Sequence, residues 1–357
     1  MKIAILGHGV VGSGTAEVFL KNKKNIESAL GANQSVDLKY VLDVRDSSEF
    51  AGCTYADKFV KDFDVILNDP EVTVVAELIG GTEPAYSFVK AALSAGKSVV
   101  TSNKELVAKK GAELLSIARE KNAAFLFEAS VGGGIPIIRP LHQCLSADSI
   151  NEIAGILNGT TNFILTKMFR DRMGFDEALK LAQENGYAER DPSDDVNGID
   201  ALRKICILAS IIFGKRVNPD NALVMAEGIA KLTRDDIAYC ESKGGTVKLI
   251  ARAVKNGDNV EVSVCPSFVP NDSQLAGVND VYNAVLVRGE ATGDVVFYGK
   301  GAGKYPTASA VVNDIANALK KTSSSETSTL FWEEEELALS QVSGVKKIGN
   351  VWFFDTL

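Results

Sequence analysis

Lys2-Ile3-Ala4-Ile5-Leu6, followed at once by Gly7-His8-Gly9-Val10-Val11-Gly12, is the stretch that decides how the first third of the chain folds. Lys2 to Leu6 reads as a buried strand, Gly7 to Gly14 as a glycine-rich turn, and Thr15 to Leu30 as a helix. A strand, a G-x-G-x-x-G turn and a helix in that order open a βαβ unit that binds a dinucleotide. The first glycine permits the tight turn, the second lets a pyrophosphate approach the backbone, and the third lets helix and strand pack closely. Free N–H groups at the start of the helix then face the phosphates.

Working outward, the pattern repeats. Lys39 to Leu42 reads as a second strand, and Val72 to Ile79 is an apolar run ended by Gly80-Gly81. Beyond it Ala85, Phe88, Val89 and Ala92 give one apolar helical face, with Thr82 placed to cap that helix and Pro84 in its first turn. Ser98 to Thr101 is the next strand, Asn103 can cap a helix running to about Lys121, and Ala124 to Phe127 is a further strand. Strands alternating with helices make the first half α/β, a Rossmann-type doubly wound parallel sheet. The acidic residue that holds a ribose hydroxyl usually lies about 20 positions past the glycines. Here Asp43 ends the second strand 31 positions after Gly12, and Arg45, close behind it, suits a 2′-phosphate. Both also fit as solvated turn residues. NAD and NADP therefore stay open, with NADP slightly favoured. Lys104, beside the Asn103 cap, follows a strand end that opens onto the cofactor crevice in such a sheet.

After Ser130 the pattern changes. Val131-Gly132-Gly133-Gly134-Ile135-Pro136 is a linker-like turn, followed by longer helices and by strands near Ile150 to Leu157, Val247 to Ala253, Val260 to Phe268, Ala284 to Arg288 and Asp294 to Tyr298. That is a second, α+β domain. The expected organisation is a dinucleotide-binding domain over 1–130 and a catalytic and dimerisation domain over 131–320, with a helix near 305–320 returning to the first domain. Residues 321–357 form a linker and short tail. Lys320 to Thr329 is a polar stretch of low complexity, and the 28 residues after it suffice for an extra strand or helix but hardly for a regulatory module.

Whole-chain properties narrow the function. At 357 residues, 46% hydrophobic and 24% charged, this is an ordinary globular composition of roughly two domains. With 38 Lys and Arg against 46 Asp and Glu the net charge is −8, and no basic run alternates with aromatics, so nucleic acid is not an expected partner. Ile205 to Phe213, the longest apolar stretch, is about half a membrane span, and the N-terminus does not read as a signal peptide, so a cytoplasmic location is expected. Five scattered cysteines without a CxxC pair fit reduced packing residues, and two histidines are too few for a His-ligated metal.

The segment Gly186-Tyr187-Ala188-Glu189-Arg190-Asp191-Pro192-Ser193-Asp194-Asp195-Val196-Asn197-Gly198-Ile199-Asp200 packs five carboxylates and one Arg into the residues from Glu189 to Asp200. Such crowding costs stability unless a cation sits among them. An EF-hand is excluded, because the position that demands glycine is Val196. Ile199 to Phe213 is apolar on nearly every face and reads as a buried helix. Asp200 and Lys204 lie one turn apart on it, and a buried lysine whose pKa moves readily suits a proton donor and acceptor. In a chain with almost no histidine, lysine is the obvious proton carrier for hydride-transfer chemistry.

Five segments carry a resemblance: GILNGTTNFIL (Gly155 to Leu165), GYAERDPSDDVNGIDALRKICILA (Gly186 to Ala209), EASVGGGIP (Glu128 to Pro136), TSNKELVA (Thr101 to Ala108) and GKGAGKYPTASAVVNDI (Gly299 to Ile315). In these motifs, in order over close to nine-tenths of its length, the chain resembles homoserine dehydrogenase. The resemblance implies reversible, NAD(P)-dependent interconversion of L-aspartate 4-semialdehyde and L-homoserine on the way to threonine and methionine. It makes Lys104 and Lys204 the two catalytic lysines, with Lys204 the proton donor to the carbonyl oxygen during reduction. It puts Glu189 and Asp200 at the positions that hold the substrate's amino group and the catalytic lysine, with Asp195 nearby. Cofactor contacts would fall on Gly7, Gly9, Val10, Val11, Gly12, Arg45, Thr82, Lys104, Gly301 and Gly303. Glu128, Val131, Gly133 and Ile135 match a monovalent-cation site, usually sodium, of structural role, in which three would contribute backbone carbonyls. A homodimer or higher homo-oligomer is implied. Long members carry a C-terminal ACT domain, for which this tail leaves no room, so threonine inhibition through one is not expected. The rivals are aspartate-semialdehyde dehydrogenase, which needs a nucleophilic cysteine in a recognisable motif, and a catalytically silent NAD(P)-binding protein, against which Lys104, Glu189, Asp200 and Lys204 argue.

Overall fold

The computed structural model describes residues 1–31, 34–323 and 330–356. Strand β1 (Lys2–Leu6) has Ile3, Ala4, Ile5 and Leu6 fully buried, because β2 (Asp37–Leu42) and β4 (Val72–Glu77) pair with it in parallel on either side. A strand covered on both faces needs a continuous apolar run, which is what the sequence supplies here. Helix α1 (Val10–Leu30) joins β1 to β2. Beyond β2 lie β3 (Phe59–Val60) and α2 (Phe63–Leu67); after β4 come α3 (Ala85–Ser94), β5 (Ser98–Thr101), α4 (Lys104–Glu120) and β6 (Phe125–Leu126). Among the described residues the six strands form one sheet in the order β3-β2-β1-β4-β5-β6. The order reverses between β1 and β4, and ligands bind at that switch, beyond the carboxyl ends of the strands.

The sequence reading needs adjustment at four places. Helix α1 starts at Val10, inside the glycine turn, and not at Thr15. Glycine is a poor helix former, but a Cβ at Gly12 would lie 2.0 Å from the Gly7 carbonyl oxygen, so close packing overrides propensity there. Strand β2 begins at Asp37, two residues before Lys39. The two-residue β3 is too short to announce itself by periodicity. Thr82 does not cap α3: Pro84 occupies the N-cap position, and the Thr82 hydroxyl donates to Glu105 Oε1 at 3.2 Å.

Past Ile135 the chain builds a second compact unit. Strand β7 (Ile150–Ile156) leads into α5 (Gly159–Arg170), followed by α6 (Phe175–Glu184), the short α7 (Ser193–Val196) and the buried α8 (Ile199–Phe213). Short strands β8 (Lys215–Arg216) and β9 (Met225–Ala226) and helix α9 (Arg234–Ser242) precede the long hairpin of β10 (Gly245–Asn256) and β11 (Asn259–Pro270), then β12 (Tyr282–Gly289) and β13 (Gly293–Lys300). Ala154, Ile156, Ile250, Val269, Ala284 and Leu286 form part of its core.

Helix α10 (Lys304–Ser323) returns to the first unit, where Val311, Ile315 and Leu319 share a core with Ile3, Phe19 and Ala76. It continues through Lys320, so the polar stretch is helical to Ser323, and 324–329 lie outside the described residues. Trp332 packs edge-on against Phe127. The tail then adds β14 (Glu333–Glu336), β15 (Val345–Ile348) and β16 (Val351–Phe354). Strand β16 joins the second sheet beside β11, giving the path β13-β12-β7-β10-β11-β16-β15. The two units comprise Met1–Gly134 with Ala302–Glu334, and Ile135–Gly301 with Glu335–Leu357. No helix among the described residues is long and apolar enough to cross a membrane.

Candidate active site

In the first unit the glycine turn has the close packing and the uncapped helix start that a phosphate-bearing ligand requires. Gly7 takes a φ of +92°, and a Cβ there would come within 2.9 Å of the Leu78 carbonyl oxygen, so only glycine fits. A Cβ at Gly9 would meet nothing within 4 Å, and Gly9, the N-cap of α1, makes no side-chain cap hydrogen bond. The first N–H groups of α1 therefore have no capping side chain, beside open space at the positive end of the helix dipole. Val10 is exposed at this end and Val11 half-buried.

Asp43, at the end of β2, is fully engaged. Its Oδ2 accepts the His8 N–H at 2.9 Å and Arg45 Nη2 at 2.9 Å, while its Oδ1 accepts the Arg45 N–H at 3.0 Å and Nε at 2.9 Å. The Arg45 guanidinium and the two backbone donors hold this carboxyl well below the usual carboxylate range. Arg45 also donates to the His8 carbonyl at 2.7 Å and lies 4.8 Å from the centre of the Phe50 ring. The His8 imidazole is enclosed by Phe50, Tyr55 and Phe59 and meets the Tyr55 hydroxyl at 2.9 Å. The histidine inside the motif is thus a packing residue that stiffens the turn.

At the neighbouring strand ends, Glu77 is fully buried and accepts the Ile79 N–H at 2.8 Å, the Gly80 N–H at 3.3 Å and the Thr101 hydroxyl at 2.6 Å. Burial raises its carboxyl pKa against these hydrogen bonds. Asn103 caps α4 through Leu106 N–H at 3.0 Å and donates to the Gly81 carbonyl at 2.6 Å, which ties the Gly80–Thr82 turn to the helix that begins with the half-buried Lys104. Sequence reasoning passed over Glu77 because it sits inside an apolar run.

The second unit assembles a different kind of site. Lys204, on the second turn of α8, donates to Asp200 Oδ2 at 2.7 Å and to the Leu157 carbonyl at 2.8 Å; the two ionic side chains are only 11% and 5% exposed. Asn158, the N-cap of α5, holds the acids together, its Nδ2 donating to Asp195 Oδ1 at 2.7 Å and Asp200 Oδ2 at 2.8 Å, while its Oδ1 accepts the Thr161 N–H at 2.8 Å. Burial, then the charge of Asp200, raises the Asp195 pKa above the ordinary carboxylate value. Gly198, with a φ of +82°, turns the chain into α8 and thereby points Asp200 inward. Three of the five crowded acids have other fates: Asp194 pairs with Arg203 at 2.5 Å, Asp191 accepts from Ser193, and Glu189 is exposed, with its backbone carbonyl held by Gln183. The structure thus gathers Asp195, Asp200 and Lys204 around Asn158, a residue whose capping signal was in the sequence but whose bridging of two acids was not. Lys104 belongs to the other unit.

Of the residues matched to a cation site, Glu128 and Val131 are buried, Gly133 takes a φ of +55°, and Ile135 is 2% exposed. Among the described residues no group of three or more His, Cys, Asp and Glu side chains is placed to hold a metal. Gly303 takes a φ of +123° before α10, and Gly301 packs against Asn283.

A parallel sheet with an uncapped glycine turn at its switch point, and a separate unit holding a buried lysine–aspartate pair, have the makings of a dinucleotide-dependent oxidoreductase. The family model for homoserine dehydrogenase matches residues 136–316, and that for its NAD-binding domain matches 7–128. The Bacillus subtilis homoserine dehydrogenase is 41% identical over 322 residues, 90% of this chain and 73% of that protein, and the Synechocystis enzyme is 43% identical over 331 residues, covering 91% and 75%. The crystal structure of a homoserine dehydrogenase from Thiobacillus denitrificans superposes with a TM-score of 0.90 at 38% identity, covering 96% of this chain and 79% of that one. A hyperthermophilic archaeal homoserine dehydrogenase mutant in complex with NADPH gives a TM-score of 0.75 at 30% identity, covering 89% and 97%. The chain belongs to the homoserine dehydrogenase family, oxidoreductases that act on a CH–OH group with a nicotinamide coenzyme.

Proposed function

We propose that this chain interconverts L-aspartate 4-semialdehyde and L-homoserine with Lys204 as the acid and base at the C4 oxygen. The observation that carries the assignment is the lysine's hydrogen bonding. Two of its three N–H donors are spent on Asp200 and on the Leu157 carbonyl, which leaves one, in a buried setting, for a substrate oxygen. Asp200 fixes the ammonium in place, and Asp195 and the exposed Glu189 offer negative charge to the substrate's α-ammonium. When bound, the nicotinamide coenzyme supplies the hydride to C4 or takes it away. Lys104, at the start of α4, is the second lysine of the reaction and, with Thr82, a coenzyme contact. The test is Lys204→Met: coenzyme binding is expected to persist while turnover falls by about 10²–10⁴, the usual worth of a positioned proton donor. Turnover within tenfold of the unaltered chain overturns the assignment.

NADP is the coenzyme this reading favours. Asp43 is saturated by Arg45 and His8 and so has little left for ribose hydroxyls, whereas the Arg45 side chain stays 44% exposed beside the glycine turn. The archaeal relative's complex with NADPH points the same way. Gly7, Gly9, Val10, Val11 and Gly12 would cradle the pyrophosphate, with Gly301 and Gly303 contributing from the later turn. A sodium ion is proposed at Glu128, Val131, Gly133 and Ile135, where a carboxylate and backbone carbonyls are the hard oxygen donors such a cation takes. The ion would brace the segment that follows β6. A homodimer or higher homo-oligomer and a cytoplasmic location complete the proposal, the location supported by five free cysteines, which suit a reducing compartment.

A further inference from the structure

Helix α5 begins behind a residue that does more than a helix cap requires. Serine, aspartate and asparagine satisfy the first N–H groups of a helix about equally well. Asn158 does so with Oδ1 alone, which accepts the Thr161 N–H at 2.8 Å and the Thr161 hydroxyl at 2.9 Å. That fixes which way the carboxamide faces, because its oxygen is held by the helix and its nitrogen must point the other way. The nitrogen carries two hydrogens, and both are spent on carboxylates: Asp195 Oδ1 at 2.7 Å and Asp200 Oδ2 at 2.8 Å. A serine or an aspartate here would cap the helix and leave both acids without this donor.

The two acids so joined have different tasks in the proposed reaction. Asp200 Oδ2 is the same oxygen that receives the Lys204 ammonium at 2.7 Å, and Leu157, the residue before Asn158, supplies the carbonyl that receives it at 2.8 Å. Asp195, half-buried on α7, is an acid offered to the substrate's α-ammonium. Asp200 and Lys204 face it from α8, and Asn158 and Thr160 from α5; burial and the Asp200 charge push its carboxyl pKa up, while the Asn158 and Thr160 donors and the Lys204 charge pull it back. Asn158 is buried and lies two residues beyond the end of β7, a strand paired on one side with β10 and on the other with β12. Attachment to a central strand is the rigidity that a positioning group needs.

We infer that Asn158 is a positioning residue, whose carboxamide sets the spacing between the carboxylate that receives the α-ammonium and the carboxylate that anchors the proton donor. A substrate gripped at its amino end is thereby brought into register with the lysine at its C4 oxygen. The role needs no contact with substrate or coenzyme, and it rests on the reading of Asp195 and Lys204 given above. It is separable from capping, because capping takes one oxygen and positioning takes two N–H donors.

Asn158→Ser keeps the cap and removes the bridge. In homoserine oxidation kcat should fall and KM should rise, each by at least about threefold, with kcat/KM lower by about 10–100-fold, the worth of a hydrogen bond to a charged group. Coenzyme KM should stay within twofold, since the glycine turn belongs to the other unit. In the reduction direction Lys204 works as an acid, so activity lost on acidification is not the lysine's. There the acid limb of kcat/KM for aspartate semialdehyde should move to higher pH, because an Asp195 carboxylate deprived of a donor ionises less readily. Asn158→Asp, near-isosteric and equally able to cap, gives a second measurement should the serine variant fold poorly; it adds like charge beside both acids and should move the limb farther. A folded serine variant whose kcat or homoserine KM stays within threefold of the unaltered chain, or an acid limb that neither variant moves, shows a cap and no more and overturns the inference. Failure of the unaltered chain to oxidise homoserine, or full turnover by Lys204→Met, would instead overturn the reading of the second unit.

Discussion

Replacing Lys204 by methionine removes a charge and keeps the length of the side chain, so it isolates what the ion pair does. The Nζ to Oδ2 separation is 2.7 Å, with side chains 11% and 5% exposed. At an effective dielectric of about 20 the bare attraction is roughly 6 kcal/mol, and breaking a buried pair by removing one partner costs about 3–5 kcal/mol. Two features of the site lower that figure. Asn158 Nδ2 still donates to the same oxygen at 2.8 Å. The penalty also has a ceiling, because an orphaned carboxyl with an unfolded-state pKa of about 3.9 can take up a proton at pH 7 for about 4 kcal/mol. Lys204→Met should therefore lose about 2–4 kcal/mol in urea unfolding of the second unit at pH 7. Asp200→Asn, which strands the ammonium on the Leu157 carbonyl, should lose a similar amount. The double variant should fall within about 1 kcal/mol of the unaltered chain, because an ion pair exchanged for neutral groups of like volume is often close to neutral. The coupling between the two sites is then about 3 kcal/mol or more. A double variant destabilised by the sum of the single losses, or a Lys204→Met loss under about 1 kcal/mol, would refute the claim that the pair is a buried, interdependent unit.

Arg45→Ala should raise KM for NADP⁺ by about 10–100-fold and leave that for NAD⁺ within about threefold, shifting the coenzyme ratio toward NAD⁺ as Asp43 is released from the guanidinium; parallel assays at 340 nm check it, and an unchanged ratio counts against Arg45 as a phosphate contact. Burial pulls the Lys248 pKa down to about 8 from 10.5. Between these values the unfolded chain binds more protons than the folded one, so stability rises with pH across that window by about 3 kcal/mol, at 1.36 kcal/mol per unit. Lys248→Met should abolish the rise, as seen in urea midpoints compared at pH 7.5 and 10. The Asp195 carboxyl is pushed up by burial and by Asp200, so the folded form loses stability as pH climbs from the unfolded value through the raised one. Asp195→Asn should then raise the melting temperature at pH 7 while raising KM for homoserine about tenfold; a lower melting temperature would show that Asp195 is held by partners that outweigh its burial.

What could be read from the sequence divides along a physical line. The parallel sheet was legible because buried strands are continuous apolar runs and the glycine turn has a spacing dictated by backbone geometry; the two-residue β3, the exact starts of α1 and β2 and the cap of α3 escaped. Helix α8 was legible for the same reason, and with it the Asp200–Lys204 pair, since i and i+4 on a helix are neighbours whatever the tertiary fold. Glu77, Asn162 and Lys248 were not. Each is a polar residue in an otherwise apolar segment, and its meaning lies in partners far along the chain: Thr101 for Glu77, and Val278 to Tyr282 for Asn162 and Lys248. No local pattern encodes such pairings.

The acidic segment shows the same division inside twelve residues. Charge crowding marked Glu189 to Asp200 as a place where a cation must sit, and that argument needs composition alone. It does not say which acids face inward. The direction comes from backbone: Gly198 is left-handed, where an added Cβ would come within 3.1 Å of Val264, and it forces α8 to begin so that Asp200 falls on the buried side. Asp195 is turned inward by Asn158, 37 residues earlier. The two acids then differ in chemistry. Asp200 has a lysine on its oxygen and serves as that lysine's anchor, whereas Asp195 has an amide on one oxygen and a raised pKa, the condition of a carboxylate still short of a cation. An incoming α-ammonium would relieve that shortage, which is why weaker stability at Asp195 and tighter substrate binding are two consequences of one arrangement.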